Sequence, residues 1–138
     1  MKGVIFDLDG VLIDSRENMS HAWEMVQHQC KINIPFERYF EEIGKPFKDI
    51  LLAIGVPEVN FVQVERVYNS YANASCDKIN IYDDVKDTLT LLKKNYLLGI
   101  VTSKPRERTN LILNRLPFFD FVSCCLLYTS PSPRDDVI

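Results

Sequence analysis

The stretch Val4-Ile5-Phe6-Asp7-Leu8-Asp9-Gly10-Val11-Leu12-Ile13-Asp14-Ser15 decides how the rest of the chain is read. Gly3 to Phe6, with Leu8, is a short and almost continuously apolar run, the pattern of a parallel strand buried on both faces. It stops at Asp9-Gly10. Asp7 and Asp9 stand two residues apart, so in extended geometry their side chains leave on the same face, at the carboxyl edge of the sheet. Adjacent carboxylates repel, and they coexist when a cation lies between them or one takes up a proton. Turn-forming acids after a strand are the plain alternative. Chemistry is favoured by the apolar strand leading into the pair, by Gly10, which lets backbone approach a ligand closely, and by the helix-capping acid that follows. A calcium loop of the EF-hand kind also opens Asp-x-Asp, but needs glycine at its sixth position and a bidentate Glu at its twelfth. Those positions are Leu12 and Asn18.

Outward from this stretch, Asp14 and Glu17 form a capping pair ahead of Met19, Ala22, Trp23, Val26 and Cys30 at helical spacing. One amphipathic helix is expected from about Ser15 to Cys30. Pro35 opens a second helix with Phe36, Tyr39, Phe40 and Ile43 on one face and Gly44 as its stop. Pro46 opens a third, with Ile50, Leu51 and Ile54 inward and Gly55 ending it; Pro57 precedes a fourth that carries Phe61, Val64, Tyr68 and Tyr71. This is a helical insertion without strands. After a polar linker, Asp84 caps a helix bearing Val85, Leu89 and Leu92, and Leu97 to Val101 forms a second buried strand ending at Thr102-Ser103. Lys104-Pro105 starts a further helix with Leu111, Ile112 and Leu116 as its stripe, and Phe121-Val122 begins a third strand. The order is that of an α/β parallel sheet with a helical cap inserted after its first strand. It divides the chain into a core segment (1–14), a cap (15–80), the continued core (81–124) and a tail (125–138).

The composition agrees with that reading. Of 138 residues, 46% are hydrophobic and 25% charged, with a net charge of −3, which argues for soluble globular structure and against disorder. No apolar run approaches the roughly 20 residues of a membrane span, and the N-terminus lacks the features of a signal peptide, so a cytoplasmic protein is expected. The mild acidity argues against capture of nucleic acid or anionic membrane, both of which want a concentrated basic face. Cys30, Cys76, Cys124 and Cys125 form no Cys-x-x-Cys pair and read as reduced thiols. Phosphate-loop, dinucleotide, zinc-protease and nucleophile-elbow motifs are absent.

Val4 to Ser15 resembles the first motif of the haloacid dehalogenase superfamily of hydrolases, and Leu98-Gly99-Ile100-Val101-Thr102-Ser103-Lys104-Pro105 resembles the second. The chain is similar to the branch of phosphoglycolate phosphatase and β-phosphoglucomutase, with Tyr82-Asp83-Asp84-Val85 in place of the branch's frequent Tyr-Pro-Gly-Val. The likeness runs from about Met1 to Val122. It implies an Mg²⁺-dependent hydrolase of small phosphorylated metabolites. Asp7 would be the nucleophile that forms an aspartyl-phosphate, and Asp9 the general acid and then base. Mg²⁺ would sit on Asp7 and Asp9, the latter also through its backbone carbonyl. The Thr102 hydroxyl would hold a phosphate oxygen, helped by amides near Gly10 and by Ser103 at a helix start, with a capping role as the plain alternative for Thr102. Lys45 and Lys48 reach over the site or are solvated. A phosphosugar mutase is the runner-up, and a fragment that only binds phosphate and Mg²⁺ is the reading from another class. The oligomeric state is open.

The resemblance also implies a later lysine motif and an acidic pair after a further strand. Neither has room after Val122, and Asp135 and Asp136 follow no buried strand. Cys125 to Asp135 reads as one frame of a translated transposon-end sequencing adapter, against the alternative of an ordinary Ser/Pro-rich tail. The expectation is a native frame ending near Cys124 and a sheet short of its remaining units.

Overall fold

The computed structural model describes residues 2–115 and the backbone of residues 124–127. Strand β1 (Lys2–Asp7) pairs in parallel with β4 (Tyr96–Thr102), in a register running from Lys2 opposite Tyr96 to Asp7 opposite Val101. β4 pairs in turn with β5 (Cys124–Leu127), also parallel, giving the sheet order β1-β4-β5. The start expected for the third strand, Phe121-Val122, lies outside the described residues, and β5 takes in Cys125 to Leu127 of the segment read as a tail.

Among the described residues the first strand is covered on one face, not two. Val4 and Phe6 join Leu98 and Ile100 in an apolar cluster with Val85 and Leu89 of α5 (Val85–Leu92) and Ile112 of α6 (Arg106–Asn114). On the other face Ile5 is 60% exposed and Leu97 52%. A run of apolar letters carries no information about which neighbour covers which face, and no described element covers this one.

The helical insertion forms its own core. It comprises α1 (Arg16–Cys30), α2 (Phe36–Phe40), α3 (Phe47–Ile54), a 3₁₀ turn at Glu58–Asn60 and α4 (Phe61–Ala74). α1 lies along α4, and Trp23, Val26, Leu51, Val64 and Tyr68 are buried together. Trp23 stacks on Tyr39 with ring centroids 4.7 Å apart, while its indole N–H donates to the Ile34 carbonyl at 2.7 Å. Two short strands, β2 (Ile13–Asp14) and β3 (Asn80–Ile81), pair antiparallel where the chain enters and leaves the insertion. The sequence reading has no strand there, because two residues are too few to display alternation.

Three local expectations change. The N-cap of α1 is Ser15 rather than Asp14; Asp14 Oδ1 accepts the Arg16 amide at 3.2 Å, and the Ser15 hydroxyl turns away from the helix. α2 stops at Phe40, before the turn that reaches Gly44. In α6, Leu111 is 38% exposed, and the buried stripe is Arg108, Thr109 and Ile112. That stripe turns two polar side chains inward, one of them a cation. Among the described residues no helix is long and apolar enough to cross a membrane.

Candidate active site

The loop after β1 is wound around one carbonyl. Leu8, fully buried, accepts at its C=O the amides of Val11, Leu12 and Ile13 at 3.3, 3.0 and 3.1 Å. Gly10 sits at φ 78°, a left-handed conformation that glycine reaches without steric cost, and its amide donates to the Ile13 carbonyl at 2.9 Å. Gly10 therefore shapes the loop. Its own N–H is spent within the loop, so among the amides near Gly10 this one is not free for phosphate.

This winding places the two acids in the walls of different cavities. β1 ends at Asp7, so the strand alternation expected to carry both side chains onto one face stops before Asp9. Asp7 is exposed at the strand's carboxyl end, and its Oδ1 accepts the Leu8 amide at 2.7 Å. With Thr102, Ser103, Val101 and Gly44 it lines a cleft of about 280 Å³. Asp9 is partly buried and doubly held: Oδ1 accepts the Ser15 hydroxyl at 2.6 Å, and Oδ2 lies 3.4 Å from the Lys104 ammonium. Asp9 lines a second, smaller cavity of about 40 Å³ with Lys104, Arg108, Tyr39 and Tyr68. Gly44 and Ser103 line both cavities.

Thr102 is 3% exposed, and its hydroxyl oxygen accepts the Lys104 amide at 3.1 Å, which leaves the hydroxyl proton for another acceptor. Ser103 is not at a helix start, since α6 begins at Arg106 behind an N-cap at Pro105. Its hydroxyl donates to the Lys45 carbonyl at 3.5 Å, a link between the sheet edge and the helical insertion. Lys45 is part of the cavity wall, with its ammonium on Glu42. Lys48 lies in a different surface groove, beside Leu52 and Glu58, away from both acids.

No group of three or more His, Cys, Asp and Glu side chains that could hold a metal ion occurs among the described residues. The second Asp7 oxygen and the Asp9 main-chain carbonyl accept no hydrogen bond among those residues. Mg²⁺ is characteristically held by one or two protein oxygens, with water and substrate phosphate completing the shell, and this donor set fits that habit.

Lys104 and Arg108 were not singled out by the sequence reading as site residues. Both are 6% exposed. Burial pushes the Lys104 ammonium below the usual lysine range, the Asp9 carboxylate pulls it back up, and the nearby Arg108 guanidinium adds to the lowering. Arg108 lies over the Tyr68 ring, 5.0 Å from its centroid, and donates from Nη2 to Asn69 Oδ1. The available signal was spacing: Arg108 falls four residues before Ile112, on the same helical face.

The haloacid dehalogenase-like hydrolase profile matches residues 4–138. A pyrophosphatase PpaX from Bacillus velezensis is 31% identical over 125 residues, covering 86% of this chain and 57% of that protein. Another from Anoxybacillus flavithermus is 29% identical over 126 residues, covering 89% and 58%. The chain thus spans a little over half the length of these curated relatives. Among solved structures, a haloacid dehalogenase-like family hydrolase from Streptococcus pneumoniae superposes with a TM-score of 0.82 at 21% identity, over 96% of this chain and 64% of that one. A predicted phosphoglycolate phosphatase from Haemophilus somnus gives 0.76 at 23%, over 96% and 65%. At such identities the superpositions speak to the fold, a parallel α/β sheet with inserted helices. With the profile spanning nearly the whole chain and the acid-bearing loop at the end of β1, the chain belongs to the haloacid dehalogenase-like hydrolase family.

Proposed function

We propose that this chain carries the nucleophile of an Mg²⁺-dependent hydrolase of small phosphate monoesters. The observation that carries the reading is the cleft in which the exposed Asp7 carboxylate meets the Thr102 hydroxyl and Ser103. Asp7 attacks phosphorus through its free oxygen while Leu8 N–H holds the other, and the ester P–O bond breaks. Asp9, fixed by Ser15 and Lys104, gives a proton to the departing alkoxide and then takes one from the water that opens the aspartyl-phosphate. Thr102 donates its hydroxyl proton to a non-bridging phosphate oxygen. Asp7 and the Asp9 carbonyl would hold Mg²⁺, which would supply charge neutralisation of the phosphoryl group.

The division into core and cap supports the same reading. Residues from Ala22 to Ala72 form a separate apolar core, and the smaller cavity lies between that core, the loop after β4 and α6. Pyrophosphate is a second substrate reading, favoured by the names of the two curated relatives.

The test uses the chain as it stands: beryllium fluoride with Mg²⁺ as a trap for the aspartyl-phosphate geometry, read by ¹⁹F NMR. Phosphate release from phosphoglycolate, pyrophosphate and β-glucose 1-phosphate is measured alongside. The wild-type chain is expected to form the adduct. Asp7→Asn is expected to form none and to lower phosphate release by at least ~10³-fold. An adduct in Asp7→Asn, or none in the wild type, sinks the reading.

A further inference from the structure

The helical insertion carries an exposed groove of its own, between α3 and α4. Lys48 and Leu52 of α3 line it with Glu58, Val62, Glu65 and Arg66, and its volume is about 570 Å³. Leu52 is 62% exposed and Val62 79%, and Val59, one turn before Val62, is 90% exposed. Large apolar side chains gathered on one exposed face mark a surface that another molecule covers.

The charges around the groove say what kind of molecule. Two are cations, Lys48 and Arg66, and two are anions, Glu58 and Glu65, and none of the four is in an ion pair with a described residue. Elsewhere on the insertion such charges are answered locally, as where Arg38 and Lys45 share Glu42. A partner of one sign, such as nucleic acid, an anionic membrane or an acidic peptide, would set half of these groups against like charge. The surface that fits has an apolar centre and both signs at its rim.

The spacing along α4 identifies one. Glu58 lies four residues before Val62 and Arg66 four residues after it, and all three line the groove. Two copies of this stripe packed antiparallel about a twofold axis at Val62 bring Val62 against its counterpart. Glu58 of each copy then stands opposite Arg66 of the other, and the pair is made twice, as in any isologous contact. We propose that the α3–α4 face is a homodimer surface, occupied by a second copy of this chain with the twofold axis at Val62. It stands apart from the phosphomonoester reading, since Asp7, Asp9 and Thr102 take no part in it.

The test is sedimentation velocity on the full chain carrying Ile5→Thr and Leu97→Thr, which removes the exposed apolar side chains of the sheet face as a competing route of association. A reversible dimer is expected at about 100 µM chain. Val62→Asp is expected to weaken it by about tenfold or more. Glu58→Arg and Arg66→Glu, made singly, each set like charges together twice and are expected to weaken it by about fivefold or more. Both exchanges in one chain are expected to return the affinity to within about threefold of its starting value. An equimolar mixture of the two single variants is expected to form a heterodimer tighter than either homodimer. Both recoveries require folded chains, so they separate a lost contact from a lost fold. A monomer at that concentration, a dimer indifferent to Val62→Asp, open-ended oligomers in place of a dimer, or failure of either charge exchange to recover association overturns the proposal.

Discussion

Asn18 shows how much a single buried polar side chain carries in this fold. It is 1% exposed on α1, and its Nδ2 lies 2.9 Å from each of the Ala72 carbonyl, the Ser75 carbonyl and the Ser75 hydroxyl. Two N–H bonds serve three acceptors, so one contact is shared. The amide thereby joins the start of the helical insertion to its end, just inside the β2-β3 ribbon. Asn18→Ala would strand those carbonyls away from water and is expected to cost about 2 kcal/mol. Urea unfolding with an unchanged slope measures it, and a loss within about 0.5 kcal/mol would show that water or Ser75 alone satisfies the acceptors. Sequence reasoning has no access to such a residue: an Asn in a helix reads as a solvated position, and its acceptors lie more than fifty residues away. Asp9 is the same case with half the information present. Its letter and its strand-end position mark it as a candidate acid, but the Ser15 and Lys104 contacts that orient it arise only when the loop and β4 meet.

At the scale of elements, legibility follows the range of the forces that fix each one. The stop of α3 is local. Gly55 adopts φ 89° at the C-cap and donates its amide to Leu51 and Leu52, a left-handed ending that a glycine announces by itself. Nothing lies within 4 Å of the position its Cβ would take, so Gly55→Ala tests conformation alone. It is expected to lower stability by about 1 kcal/mol, read as a shifted urea midpoint; a wild-type midpoint would mean that the helix end relaxes to another cap. The inward face of α6 is the opposite case. Of its expected stripe of Leu111, Ile112 and Leu116, Ile112 is buried, Leu111 is exposed and Leu116 lies outside the described residues, while Arg108 and Thr109 turn inward because the helical insertion and the small cavity lie on that side. Apolar periodicity assumes an apolar neighbour, and here the neighbour is a cavity lined by charged side chains. The β2-β3 ribbon escapes for a third reason, being held by pairing between segments more than sixty residues apart.

At the scale of the whole molecule, two apolar cores share one chain but differ in how well they are enclosed. Around Trp23 and Tyr68 the insertion packs helices on several sides, with Leu51, Ala22, Val26 and Val64 at 0% exposure. Among the described residues the sheet core is enclosed on one face, by α5 and α6. On the other, Gly3 stands opposite Leu97 and Ile5 opposite Gly99, so Ile5 and Leu97 are diagonal neighbours on the same face. Both are more than half exposed, and the Asp7 carboxylate belongs to the same side of β1. Contiguous exposed apolar surface of this kind attracts apolar ligands and other copies. The chain is therefore expected to enhance anilinonaphthalenesulfonate fluorescence without denaturant. The double substitution Ile5→Thr and Leu97→Thr keeps residues that favour strands while removing the apolar patch. It is expected to lower the dye signal by about twofold or more, with each change moving the unfolding free energy by no more than about 0.5 kcal/mol. Undiminished dye fluorescence in the double variant would place the binding surface elsewhere, and a large loss of stability would show that this face is covered by residues outside those described.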